Sequence, residues 1–266
     1  MNRATLLVIA VIVAFALGFG IVQNRTEQLQ NDVITLSLFS GAGLRPPVAD
    51  IVELFQQETG IRVECTYGAS NLLLGQLKLH QRGDVFLPGD QFYVDQAQAE
   101  GLVDESRPIA YFTPVIMVKK GNPLDIRRLE DLTKSGVRLG LADERSAAVG
   151  RVARQVLENS GVSWQAIKRN LQFTSTTVHE LGDSLKLGHL DAVIVWNAVA
   201  RQYDNVGEIV SIPAEHNVSV AIPAAIIKTT ANREAARQFI DFLASERGRV
   251  IFRQYYYDTI PSEDLE

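Results

Sequence analysis

A chain of 266 residues with 46% hydrophobic and 21% charged residues has enough apolar material for a substantial core, and enough length to divide that core between two units. Its formal net charge of -5 offers no basic stripe to a phosphate backbone, which excludes nucleic acid as a natural partner. Cys65 is the only cysteine, so no disulfide forms within the chain, and no group of Cys and His has metal-ligand spacing.

Residues 1–31 read separately from the rest. Arg3 precedes an unbroken apolar run, Leu6 to Val22, and the polar stretch Gln23 to Asn31 follows it. This pattern predicts export: a signal peptide, or an N-terminal membrane anchor if the run is kept. The run exceeds the roughly 7–15 apolar residues of a cleaved signal and lacks a clear small-x-small cleavage site. As a helix it would reach about 25 Å, slightly short of a bilayer core without its flanks. No cysteine follows it, so lipid attachment is not expected. The remainder is expected to be periplasmic or otherwise extracytoplasmic, with a possible tether to the inner membrane.

From Ile34 onward, short β-rich runs alternate with helical patterns, which predicts an α/β fold with largely parallel sheets. Ile34 to Phe39 is a strand. Pro46 and Pro47 suit a first helical turn, Val48, Ile51, Val52 and Phe55 then share one face, and Gly60 ends the helix. Ile61 to Tyr67 alternates as a strand, with Cys65 among its core positions. A helix from about Leu72, a short strand Val85 to Leu87 and a helix near Asp90 follow. Tyr111 to Val118 is read as a crossover strand, because the βα pattern restarts after it with strands at Val137 to Ala142, Gln172 to Thr176 and Ala192 to Trp196. A second crossover is expected near Val218 to Ile227. Two last helices, Arg233 to Ser245 and Glu246 to Tyr255, return to the first lobe. The predicted division is residues 32–112 plus 222–266 for lobe 1 and residues 113–221 for lobe 2.

Open α/β sheets bind ligands beyond the carboxyl ends of their strands, so the strand-to-helix turns are where function is sought. Four of them are small and neutral: Ser40-Gly41-Ala42-Gly43, Gly68-Ala69-Ser70-Asn71, Ala147-Ala148-Val149-Gly150 and Thr176-Thr177-Val178. Any one of these is explained by capping and tight turning alone. Taken together they describe a set of hydrogen-bond donors: free N–H groups at helix starts, Ser and Thr hydroxyls, and little bulk to keep an anion away.

The segments Ile34 to Ile51, Tyr67 to Leu77, Gly83 to Ala97 (GDVFLPGDQFYVDQA), Leu139 to Leu157, Val178 to Ala200 and Val218 to Phe242 resemble the periplasmic molybdate-binding proteins of bacterial ABC importers. The resemblance covers nearly everything after the export segment, and DVFLPGDQ is its most specific part. It implies a two-lobed, type II periplasmic-binding-protein-like fold, two βα domains joined by two crossover strands with a ligand cleft between them. In that family two serines of the first lobe, backbone N–H groups of the second and a tyrosine hydroxyl hold the oxyanion. Matched locally, the second serine is Ser70, the backbone donors are Val149 and Val178, and the tyrosine position carries Trp196. The first serine falls on Gly43, which has no hydroxyl, and Ser40 is the candidate to replace it. Trp196 keeps a donor in its indole N–H.

The resemblance thus implies a monomeric, non-enzymatic solute-binding protein that captures molybdate or tungstate for an ABC transporter permease, with no cofactor. The alternatives are a membrane-tethered oxyanion sensor built on the same module, or a binding protein for sulfate or ferric iron. An enzyme on a related scaffold lacks any visible Ser/His/Asp set or activated cysteine. Arg45 and Arg151 beside the turns read as lobe-surface residues, Asp90 as a helix N-cap, Asp95 as part of an exposed helix face, Asn71 as a helix-start residue, and Tyr255, Tyr256 and Tyr257 as packing.

Overall fold

The computed structural model describes residues 34–259; the export segment and its apolar run lie outside the described residues. Two five-stranded mixed sheets make up the molecule, each with its own helices. Among the described residues no helix is long and apolar enough to cross a membrane.

The first sheet runs in the order β2-β1-β3-β10-β4. Strands β1 (Thr35–Gly41), β2 (Arg62–Gly68) and β3 (Val85–Leu87) are parallel, whereas β10 (Val220–Ile227) runs antiparallel to both β3 and β4 (Val103–Phe112). Helix α1 (Arg45–Thr59) begins after a 3-10 turn at Ala42–Leu44. Its prolines occupy the first turn, where no amide partner is required, and Gly60 closes it at φ 73°. Its Phe55 meets Phe239 at 5.0 Å and Phe242 at 5.4 Å, both edge-on, so α8 (Arg233–Ala244) docks on the same lobe. Helices α2 (Ser70–His80), α3 (Gln91–Ala99) and α9 (Glu246–Gln254) complete that lobe.

The second sheet runs β7-β6-β8-β5-β9. Strands β6 (Leu139–Ala142), β7 (Leu171–Ser175) and β8 (Ala192–Trp196) are parallel, with β5 (Pro114–Lys119) antiparallel to β8 and to β9 (Gly207–Val210). Helices α4 (Ala148–Asn159), α5 (Trp164–Asn170), α6 (Val178–Lys186) and the short α7 (Asn197–Arg201) surround it. The stretch read as one crossover strand is split at Thr113: Phe112 ends β4 in the first sheet and Pro114 begins β5 in the second. The return path is residues 211–219, after which β10 lies wholly in the first sheet. At the crossing, Thr113 Oγ1 and Asn197 Nδ2 both donate to the Asp258 carboxylate, at 2.8 and 3.2 Å.

Each sheet has a buried carboxylate that joins its strands at the edge away from the strand-to-helix turns. Asp84 accepts the Ser37 amide at 2.7 Å and the Asn232 side-chain amide at 3.3 Å, and Thr230 also donates to it. Asp191 accepts the Arg138 amide at 2.9 Å, the Arg138 Nε and Nη2 at 3.0 and 2.7 Å, and Lys119 Nζ at 2.9 Å, tying the start of β8 to β6 and β5. The Arg138 guanidinium holds the Asp191 carboxyl far below the usual carboxylate range, against the opposing effect of burial. Asp191→Asn should therefore cost about 1–3 kcal/mol at neutral pH. A lowered carboxylate pKa contributes stability that is present above the unfolded value of about 3.9 and is lost as pH falls toward the folded value. Urea unfolding at pH 7 and pH 3 checks this: the gap between wild type and variant should narrow in acid, and an unchanged gap would refute the assignment.

Candidate functional site

A closed α/β unit aims its strand-to-helix turns to one edge, and here the two sheets turn those edges toward each other. Between them is a cavity of ≈ 30 Å³. Since roughly 10–15 Å³ on this measure holds one water, it suits a compact ligand of a few heavy atoms. The first lobe supplies residues 41–44, residues 68–70, Gly89 and Phe112; the second supplies residues 147–149, residues 176–178 and Trp196. None of these lining residues carries a formal charge.

Three helices start on the cavity. Ser70, Val149 and Val178 occupy first-turn positions of α2, α4 and α6, where amides have no intrahelical acceptor. The N-cap residues Ala69, Ala147 and Thr177 accept no hydrogen bond from their helices through a side chain, so the Ser70, Val149 and Val178 amides are left for a ligand, and the three macrodipoles favour a negative one. Ser70 is buried and its Oγ accepts the Gly89 amide at 3.0 Å. Because a hydroxyl carries one hydrogen besides its lone pairs, that bond leaves the Ser70 hydrogen to donate into the cavity.

The two departures, Gly43 and Trp196, lie side by side. Trp196, 2% exposed, stacks on Phe112 at 4.6 Å between ring centroids with 7° between planes. A Cβ on Gly43 would meet Val178 Cγ1 at 3.4 Å, Phe112 Cζ at 3.5 Å and Trp196 Cδ1 at 3.7 Å. The larger side chain at position 196 thus closes space beside the smaller one at position 43. Behind them Tyr257 donates its hydroxyl to the Gly43 carbonyl and tilts against Phe112 at 5.2 Å. Tyr257 is a packing residue, as expected, but one that fixes the peptide of a cavity wall. It lies 214 residues from Gly43, and no local pattern points to it.

Two sequence expectations are corrected, and a third gains a second role. Ser40 does not reach the cavity: it lies on β1 on the same face as Leu36 and Leu38, fully buried, so its side chain points into the core and Gly41 and Ala42 take its place at the ligand edge. The Thr176 amide and hydroxyl are spent on the Glu180 carboxylate at 2.9 and 3.0 Å, so this threonine is a capping group and not a free donor. Burial alone would raise the Glu180 pKa, but the hydrogen bonds from Thr176 and Thr177 hold it below the usual range. Asp90 occupies the N-cap position of α3, as expected, with its carboxylate toward the Phe92 and Tyr93 amides, and it also pairs with Arg151 across the lobes at 2.5 Å.

Comparison with known proteins places this geometry in a wider group. The sequence profile of a bacterial extracellular solute-binding protein family matches residues 36–258. A Haemophilus influenzae protein described as a binding protein is 30% identical over 216 residues, covering 80% of this chain and 86% of the relative. The molybdate-binding protein ModA of Mycobacterium tuberculosis is 26% identical over 222 residues, 83% of each chain. Among solved structures, the periplasmic molybdate-binding protein of Azotobacter vinelandii superposes with a TM-score of 0.72 at 19% identity, over 85% of this chain and 100% of that one.

The start of α4 is held close to β6 by a glycine. A Cβ on Gly150 would come within 2.5 Å of the Ala142 carbonyl oxygen and 2.6 Å of the Asp143 carbonyl oxygen, both backbone atoms. Gly150→Ala should cost about 1–3 kcal/mol by overpacking and displace the Val149 amide. Gly75, in the middle of α2 with nothing near its Cβ position, is the control, and Gly75→Ala should stabilise by about 0.5–1 kcal/mol. Denaturant unfolding of both variants decides; equal effects would show that the α4 start is not tightly packed.

Proposed function

The chain belongs to the bacterial extracellular solute-binding proteins, and from that premise we propose that it captures a tetrahedral oxyanion, molybdate or tungstate, for an ABC importer. The observation that carries this reading is a cavity of ≈ 30 Å³ with three helix starts and the Ser70 hydroxyl around it and no charged lining residue. A fully ionised dianion brings its own charge. Fixed dipoles stabilise it without a salt bridge inside the cavity, and release stays feasible.

The same chemistry argues against the neighbouring ligand classes. Ferric iron requires anionic oxygen or nitrogen ligands, and the lining contains no carboxylate, histidine or tyrosine. Phosphate near neutral pH keeps a proton that needs an acceptor, which a donor-lined cavity without a carboxylate does not offer. The relatives named for molybdate direct the choice among fully ionised ions toward molybdate and tungstate. Ser70, Val149, Val178, the Gly43 amide and the Trp196 indole N–H are the proposed donors. The lobes close around the ion, and a permease reads the closed form. The export segment would carry the domain across the inner membrane and, if kept, tether it there.

Thermal-shift titration with molybdate, tungstate, sulfate, phosphate and ferric iron tests the assignment. A ligand specific for the folded protein at a hundredfold excess over its dissociation constant should add about 2.7 kcal/mol. Molybdate and tungstate should stabilise strongly, phosphate and ferric iron should not, and Ser70→Ala should lose much of the response. The reverse ranking would overturn the ligand class.

A further inference from the structure

The ion pairs of this molecule divide cleanly by lobe. Lys78 pairs with Glu100 and Arg247 with Glu58 inside the first lobe; Arg145 pairs with Asp143, Arg154 with Glu158 and Arg138 with Asp191 inside the second. Among the described residues, the pair that joins the two lobes is Arg151 Nη2 to Asp90 Oδ2 at 2.5 Å.

Its position is unusual in three respects. Asp90 follows Gly89 and Arg151 follows Gly150, so each charge sits one residue beyond a glycine that permits a close backbone approach, Gly89 toward the other lobe and Gly150 within its own. Gly89 lines the cavity, and a Cβ on it would lie 3.0 Å from the Ala148 methyl of the other lobe, so the lobes approach closely here. Asp90 is fully buried while the Arg151 side chain is 30% exposed. The Arg151 guanidinium also lies over the Phe92 ring of the same α3 helix, 4.9 Å from its centroid. Close by, the Asn71 amide donates across the lobes to the Ser146 carbonyl at 3.4 Å.

Asp90 Oδ1 and Arg151 Nε are buried without hydrogen-bond partners, so the pair is incompletely satisfied in this structure. The Asp90 carboxylate is supported by the Phe92 and Tyr93 amides and by a single cation: replacing the arginine removes that cation from a desolvated group when the lobes are together, whereas opening the cleft returns the group to water. The penalty for losing either partner therefore falls on the closed state.

We infer that Asp90 and Arg151 are a positioning pair that holds the two lobes in the register where the donors of α2, α4 and α6 meet around one ligand. This rests on the solute-binding reading above. It adds that closure is stabilised outside the cavity, by a charge pair that does not touch the ligand.

The test uses Arg151→Met and Asp90→Asn, one change in each lobe, with Arg151→Lys as the conservative variant. Two measurements keep the inference separate from the ligand assignment. In the ligand-free protein, hydrogen exchange of the segments around Asn71 and Ala148 should be faster in Arg151→Met and Asp90→Asn than in wild type, with Arg151→Lys between them. With molybdate as probe, stopped-flow tryptophan fluorescence should show dissociation accelerated tenfold or more in the first two variants and association changed less than threefold. Unchanged exchange at the lobe boundary overturns the pair's role whatever the ligand is. Faster exchange with no molybdate signal in the wild type upholds the pair and overturns the ligand assignment instead. A loss confined to association would recast Arg151 as an electrostatic guide and refute positioning.

Discussion

Everything at the site depends on one property of the helix, that its first amides have no acceptor within it. A parallel strand followed by a helix delivers those amides to the carboxyl edge of the sheet, and both sheets of this protein turn that edge toward the same cavity. The convergence of α2, α4 and α6 is therefore a product of topology before it is a product of side-chain chemistry. What the side chains add is mainly absence. Gly43, Ala69, Ala147 and Ala148 leave the backbone approachable, and N-caps that make no side-chain bond leave the Ser70 and Val149 amides free.

Close approach has to be protected by packing. Gly150 lets α4 start against the carbonyls of Ala142 and Asp143, and Gly89 lets the first lobe come within van der Waals contact of Ala148. The aromatic wall acts the same way from the other side. Phe112 comes from the first sheet and Trp196 from the second, so their stack spans the crossing at Thr113, and Tyr257 braces it from the chain's last described turn. Removing bulk at position 43 and adding it at position 196 keeps the cavity small while exchanging a hydroxyl for a ring.

What could be read from sequence follows from how locally each feature is encoded. Core strands such as Ala192–Trp196 are buried on both faces and appear as continuous apolar runs. The edge strands are different: β4 opens with the polar stretch Asp104 to Arg107 and carries Pro108, and β9 has one buried residue, so neither shows a core pattern. Residues 43, 70, 149, 178 and 196 were legible because they sit in recognisable turns or at a strand end, and all five line the cavity. Ser40 was misplaced by two residues' worth of strand alternation, since a site on the carboxyl edge is reached only after the strand has finished alternating into the core. The Tyr257 and Arg151 contacts span 214 and 61 residues, and no periodicity encodes a pairing between elements that far apart.

The separation of charge from the cavity has a physical logic of its own. A cation inside it would bind any anion strongly, and a dianion held by a dry salt bridge would be slow to leave. Dipoles fixed by the fold give a graded attraction that depends on geometry, so the ligand is selected by how well its oxygens meet the amides. The full charges are kept just outside the cavity, where Asp90 of one lobe meets Arg151 of the other. The site then reads the shape and ionisation of the solute, while the pair beside it responds to the distance between lobes.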